Sequence, residues 1–182
     1  MHMIHDIGEA RCLLSEGKII AYPTEAVYGL GCDPFDQKAV KYLLALKQRP
    51  IHKGLILLIS DWAQLTPLII TISESQLDRA RQTWPGPVTW LFPKASMIPD
   101  WLSGSHGTIA IRMTNHPVAK QLCLEGPIIS TSANISSHLP ARDLDNLFAQ
   151  FPSGVDGCVI GDLGSQKQPS FIYDILTGNR LR

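Results

Sequence analysis

Short apolar runs alternate with amphipathic stretches of helical spacing along the whole chain, and proline or glycine separates most of them. No other feature limits the fold so strongly. Ile7, Ala10 and Leu14 share one helical face, and Ile19 to Tyr22 form an apolar run stopped by Pro23. Ala39, Val40, Leu43, Leu44 and Lys47 trace a second helix, which Pro50 prevents from continuing. Leu55 to Ser60 predicts a strand, Ser73 with Gln76 three residues on predicts a capped helix start, and Val88 to Phe92 predicts another strand after the break at Trp84-Pro85-Gly86-Pro87. Thr108 to Met113 alternates as a strand, Pro117 to Glu125 reads as a helix stopped by Gly126, and Ile128 to Ser130 reads as a strand. Leu144, Leu147, Phe148 and Phe151 mark a last helix, and Cys158 to Ile160 and Phe171 to Leu176 close the chain as strands. No repeat, heptad or Pro/Gly/Ser linker divides it, which predicts one α/β domain over residues 1–182. The later strands lie close in sequence, so the sheet is expected to be mixed.

The longest uninterrupted aliphatic run, Leu55 to Ile59, falls far short of the roughly 20 residues a membrane span requires. The opening MHMIHDIGEA has no basic region leading into an apolar stretch, so neither membrane insertion nor signal-directed export is expected. Cys12, Cys32, Cys123 and Cys158 stand far apart with no Cys-x-x-Cys pair, which points to free, mostly buried thiols. His2 and His5 read as part of an untethered chain end rather than a chelate, and no structural metal is assigned. Sixteen Lys and Arg balance 16 Asp and Glu. That balance argues against attachment to nucleic acid by bulk positive charge, so any polyanion site is local. Residues 36–53 hold Lys38, Lys41, Lys47, Arg49 and Lys53 against Asp36 alone, whereas residues 143–166 hold Asp143, Asp145, Asp156 and Asp162 with no Lys or Arg. Neutrality is a cancellation.

Four segments carry groups suited to chemistry. In Ala21-Tyr22-Pro23-Thr24-Glu25-Ala26-Val27-Tyr28-Gly29-Leu30-Gly31 a strand ends in a polar turn, and two glycines allow close backbone approach; an ordinary strand-to-helix turn fits equally well. Lys47-Gln48-Arg49-Pro50-Ile51-His52-Lys53 places three cations and no acid at a helix end, which suits phosphate or carboxylate, or else a solvated helix C-terminus. Ser130-Thr131-Ser132-Ala133-Asn134 follows the apolar Ile128 and Ile129 and offers hydroxyl, amide and backbone N–H groups, for a phosphate or ribose or merely for a turn. Arg112 interrupts an otherwise apolar alternating strand, so its guanidinium meets either solvent or an anion. The Gly-x-x-x-x-Gly-Lys-Ser/Thr, Gly-x-Gly-x-x-Gly, Gly-x-Ser-x-Gly and His-Glu-x-x-His patterns do not occur.

Taken in order, AYPTEAVYGLGCDP (21–34), LKQRPIHKGLI (46–56), WPGPVT (84–89), AIRMTNHP (110–117), STSAN (130–134) and QPSFIYD (168–174) resemble the YrdC/TsaC family, the threonylcarbamoyl-AMP synthases. The resemblance implies a YrdC-like twisted mixed sheet flanked by helices, with a concave basic face. It further implies condensation of L-threonine, bicarbonate and ATP with release of pyrophosphate, in making threonylcarbamoyladenosine in tRNA. Carried over residue by residue, it assigns Lys47 and Arg49 as the principal catalytic cations. Arg49, Lys53, Thr108, Ser132, Asn134 and Arg182 fall to ATP, and Thr24, Arg112, Ser130 and Ser170 to threonine, with Tyr28 walling the cleft. Mg2+ is expected to arrive with ATP and to have no protein ligand. The implied partners are tRNA or double-stranded RNA on the basic face and the downstream proteins that transfer threonylcarbamoyl to tRNA, all in the cytoplasm. A double-stranded RNA or tRNA-binding module without catalysis is the alternative. Two departures stand out: Ile135-Ser136-Ser137-His138 follows STSAN where the family usually has Ser-Gly, and Phe171 replaces a threonine after Ser170.

Overall fold

The computed structural model describes residues Met1–Arg182. Its strands are β1 (His2–Ile4), β2 (Ile20–Pro23), β3 (Tyr28–Gly31), β4 (Ile56–Ile59), β5 (Val88–Pro93), β6 (Thr108–Met113), β7 (Ile128–Ser132), β8 (Gly157–Val159) and β9 (Phe171–Asp174). Six helices accompany them: α1 (Ile7–Ser15), α2 (Gln37–Leu46), α3 (Glu74–Arg81), α4 (Asp100–Ser103), α5 (Pro117–Leu122) and α6 (Leu144–Gln150). The strands form one continuous sheet in the order β1-β8-β2-β3-β7-β4-β6-β5-β9. Pairing is parallel for β1 with β8, β8 with β2, β4 with β6 and β5 with β9, and antiparallel elsewhere, so the sheet is mixed as expected.

Strand β7 is central, and its position follows from its sequence. Ile128 and Ile129 are buried on opposite faces, each in a different core cluster, as a strand covered on both sides requires. One face carries the larger core, where Ile19, Leu30, Leu57, Ile111 and Ile129 meet residues of α2 and α6. The other carries Ile20, Tyr22, Leu58 and Ile128 against α1 and α5. Those two helices leave part of this second face open. Ile56 pairs with Ser130 on one side and Ala110 on the other, and Arg112 lies two residues further along β6 on that same face. The open stretch is thus a row of polar and small residues crossing the sheet.

Several expectations need correction. Of His2 and His5, His2 is not part of an untethered end: His2–Ile4 pairs with Gly157–Val159 as an edge strand, and His2 Nε2 meets Glu9 at 2.8 Å. Tyr28–Gly31 is a strand rather than part of a turn. Gly31 suits it, since a Cβ there would stand 2.5 Å from the Ile129 carbonyl oxygen. Helix α5 ends at Leu122, capped by Cys123, short of Gly126, and β7 runs on to Ser132. The capping box at Ser73 and Gln76 forms as its spacing predicts. Cys12 is exposed and the other three cysteines are buried, all unpaired.

Candidate active site

The open stretch of sheet deepens into a cleft of about 270 Å3. Thr24 enters it from the β2–β3 turn and Arg49 from the segment after α2. Arg112 comes from β6, Ser130, Ser132 and Asn134 from β7 and its exit, and Ser170 and Arg182 from the two sides of β9. Tyr28 borders the cleft while remaining part of the larger core. Lys53 and Thr108 lie in an adjoining cavity of about 280 Å3 that shares Arg49 and Arg182. Lys47 sits with Arg49, Lys53, Ser132 and Asn134 around a polar recess of about 220 Å3.

Lys47 is not a solvated helix end. It caps α2 with only 2% of its surface exposed, and its Nζ donates to the carbonyl oxygens of Ser132 and Asn134. Its own carbonyl accepts the Ser136 N–H at 2.8 Å, so one residue ties down the whole exit of β7. Burial, and then the neighbouring Arg49 guanidinium, pull its pKa down to about 7. Within the tied loop Ser132 Oγ donates to Asn134 Oδ1 at 2.6 Å, and Asn134 Nδ2 donates to the carbonyls of Ile135 and His138. Lys47, Ser132 and Asn134 therefore shape the recess from within.

Arg49 donates from Nη2 to the Gly54 carbonyl at 3.0 Å, and its Nε is buried without a partner. Burial, and then the charge of Arg182, lower its pKa, and burial lowers that of Arg182 as well. Arg182 has no acidic partner, and its Nη2 donates to the Ser170 carbonyl at 3.1 Å. A half-buried guanidinium with an unpartnered Nε beside a second, more exposed guanidinium suits the binding of an anion. On the opposite wall Thr24 donates its hydroxyl hydrogen to the Val27 carbonyl at 2.7 Å, which leaves its oxygen to accept from a ligand. Ser170 Oγ lies 2.9 Å from Thr89 Oγ1.

Glu25 also belongs to the site, although nothing in its local sequence singles it out. Its Oε2 pairs with Arg112 Nη1 at 2.5 Å, and its Oε1 accepts from the Thr114 hydroxyl and the Asn115 N–H. Burial alone would raise the Glu25 carboxyl, but Arg112 and the Thr114 hydroxyl outweigh it and hold the group below the usual carboxylate range. Arg112 is 8% exposed and buried as expected of a guanidinium meeting an anion, though this anion belongs to the protein. Glu25 is also the one acidic residue lining the cleft. No group of three His, Cys, Asp or Glu side chains is placed to hold a metal ion.

A family model for Sua5, YciO and YrdC, described as "Telomere recombination", matches residues 12–182. The chain is 49% identical to a threonylcarbamoyl-AMP synthase of Coxiella burnetii (strain RSA 331 / Henzerling II) over 178 residues, 97% of this chain and 96% of that protein. It is 48% identical to the protein of the same name from Pseudomonas savastanoi pv. phaseolicola over 167 residues, 91% of this chain and 90% of that one. Among solved structures, P. abyssi Sua5 complexed with L-threonine matches with a TM-score of 0.89 at 31% identity, over 98% of this chain and 55% of that chain. The chain thus spans about half the length of that structure. E. coli YciO, at 23% identity and a TM-score of 0.82 over 95% of this chain and 88% of that one, shares the fold. The sheet order, the cleft and the six matching segments converge with these likenesses: the chain belongs to the Sua5/YciO/YrdC family.

Proposed function

We propose that this protein is a threonylcarbamoyl-AMP synthase, which joins L-threonine, bicarbonate and ATP and releases pyrophosphate. The observation that carries the reading is the division of cations around one cleft. Arg49, with its unpartnered Nε, and Arg182 stand on one side, while Arg112, already paired with Glu25, stands on the other. One side suits the triphosphate and the other a single carboxylate.

The reaction makes modest demands on side-chain chemistry. The threonine amine bonds to the bicarbonate carbon and, with loss of water, gives an N-carboxy anion. One oxygen of that anion then bonds to the α-phosphorus of ATP as the bond to the pyrophosphate leaving group breaks. The protein's task is to bring two anions together and neutralise the charge that develops, for which Arg49, Lys53 and Arg182 are placed. Mg2+ bound to ATP would share that neutralisation. The only cleft carboxylate is committed to Arg112, Thr114 and Asn115, so the donors present do not form a protein metal site, and the ion would be held by phosphate and water. The adenylate would pass to the downstream proteins that transfer threonylcarbamoyl to tRNA, in the cytoplasm; no helix here is long and apolar enough to cross a membrane.

The test is pyrophosphate release in the presence of threonine, bicarbonate, ATP and Mg2+. Omission of threonine or bicarbonate should abolish it, and Arg49→Ala should raise the KM for ATP by about tenfold or more. Release that ignores both omissions would refute the reading. Binding of tRNA or double-stranded RNA through the same cations is less well served by the geometry. Lys47 is buried, and Arg49 and Arg182 lie within a cleft rather than along a face.

A further inference from the structure

The Glu25–Arg112 pair is placed where a free cation would serve substrate binding most simply. It is held with more contacts than an ion pair needs. Glu25 receives donors from Arg112, Thr114 and Asn115, that is, from β6 and the turn that follows it. Its backbone is held as well: its carbonyl accepts the Gln166 N–H at 2.9 Å, and the Thr24 carbonyl accepts the Gly164 N–H at 2.9 Å. A Cβ at Gly164 would lie 2.7 Å from the Glu25 Cα, so the segment after β8 packs directly over this residue. The carboxylate has no freedom to follow an incoming ligand. Arg112 engages only Nη1, and its Nη2 and Nε make no hydrogen bond within the protein.

We propose that Glu25 is a positioning residue, which fixes Arg112 by one corner of its guanidinium and reserves the remaining donors for the carboxylate of the amino-acid substrate. The inference rests on the synthase reading and deepens it. A guanidinium locked at one corner still offers two adjacent N–H groups, the arrangement a carboxylate accepts in parallel. The pair also carries no net charge, so it competes poorly for a polyphosphate with Arg49 and Arg182, which have no acidic partner. Glu25 thereby sorts two anions entering one cleft. A lone Arg112 would attract either.

Steady-state kinetics on the full chain, with threonine and ATP varied in turn, tests this. Glu25→Gln keeps the shape and removes the charge. The KM for threonine should rise about tenfold or more, as when other orienting carboxylates are lost, while kcat at saturating threonine stays within about threefold. The KM for ATP should stay level or fall. Thr114→Val should raise the threonine KM by less, and Thr114→Ser should restore it. Calorimetric titration with threonine should rank the variants identically without turnover, and the Thr114 pair decides the matter if Glu25→Gln does not fold. A drop in kcat at unchanged threonine KM would show Glu25 acting on the reacting atoms, and a parallel rise in both KM values would show a general structural loss. Either overturns the proposal, as does wild-type protein that binds no threonine. Threonine binding that ranks as expected without pyrophosphate release would refute the synthase reading alone.

Discussion

Lys47 shows what folding can do to a single charge. Its position in a cationic helix end is plain from sequence, but its role depends on carbonyls 85 and 87 residues away, which no local pattern reveals. The same holds for Glu25. Arg112 is conspicuous in an apolar strand, yet its partner lies 87 residues earlier and looks like any turn residue. The lowered pKa of Lys47 has a definite consequence for stability. Below about pH 7 the folded and unfolded chains both carry the proton, and the cost of burying the ammonium is fully present. As pH rises from about 7 toward the ordinary lysine range, the folded state sheds a proton that the unfolded state keeps, so stability increases, at a slope approaching about 1.4 kcal/mol per pH unit. Urea unfolding of the wild type against Lys47→Met across this window should show the slope shrink by that amount in the variant. Equal slopes would contradict the buried, proton-shedding lysine.

At the scale of elements, most strands and helices were legible because their apolar spacing matches one period or the other. Thr108–Met113 forms as its alternation predicts. Three elements escaped: β1 has three residues and exists only through pairing with β8, β3 is half glycine, and α4, a single turn of four residues, is too short to show a period. The loop leaving β7 holds one of the two departures from the pattern that the family resemblance implies. Ser137, in the stretch that usually reads Ser-Gly, has a left-handed φ of 72°, a conformation glycine adopts freely and serine only at a cost. Ser137→Gly relieves that cost and gives back part of it as added freedom of the unfolded chain, for a net gain of about 0.5–1 kcal/mol. Chemical denaturation should show the gain. A loss of stability would mean that the serine hydroxyl holds the loop in a way the backbone angle does not reveal.

For the molecule as a whole, the balanced charge conceals two regions with different uses. Of the cations between residues 36 and 53, Lys38 and Lys41 are exposed on α2, while Arg49 and Lys53 line cavities and Lys47 ties the loop. Two of the acids between 143 and 166 serve structure: Asp143 caps α6, and Asp156 accepts the Ile19 N–H at 2.8 Å. Central strand β7 joins the two halves of the sheet, and it and its exit bring Ser130, Ser132 and Asn134 into the cleft that the arginines line. Such a cleft, with Arg49 and Arg182 free of acidic partners and Arg112 already paired with Glu25, suits the proposed joining of two anions. The most direct measurement is mass analysis of the nucleotide product made from threonine, ATP and isotopically labelled bicarbonate. The account predicts an adenylate containing one threonine and the labelled carbon, formed together with pyrophosphate. Adenylate products that carry threonine without the label, or no threonine at all, would contradict it.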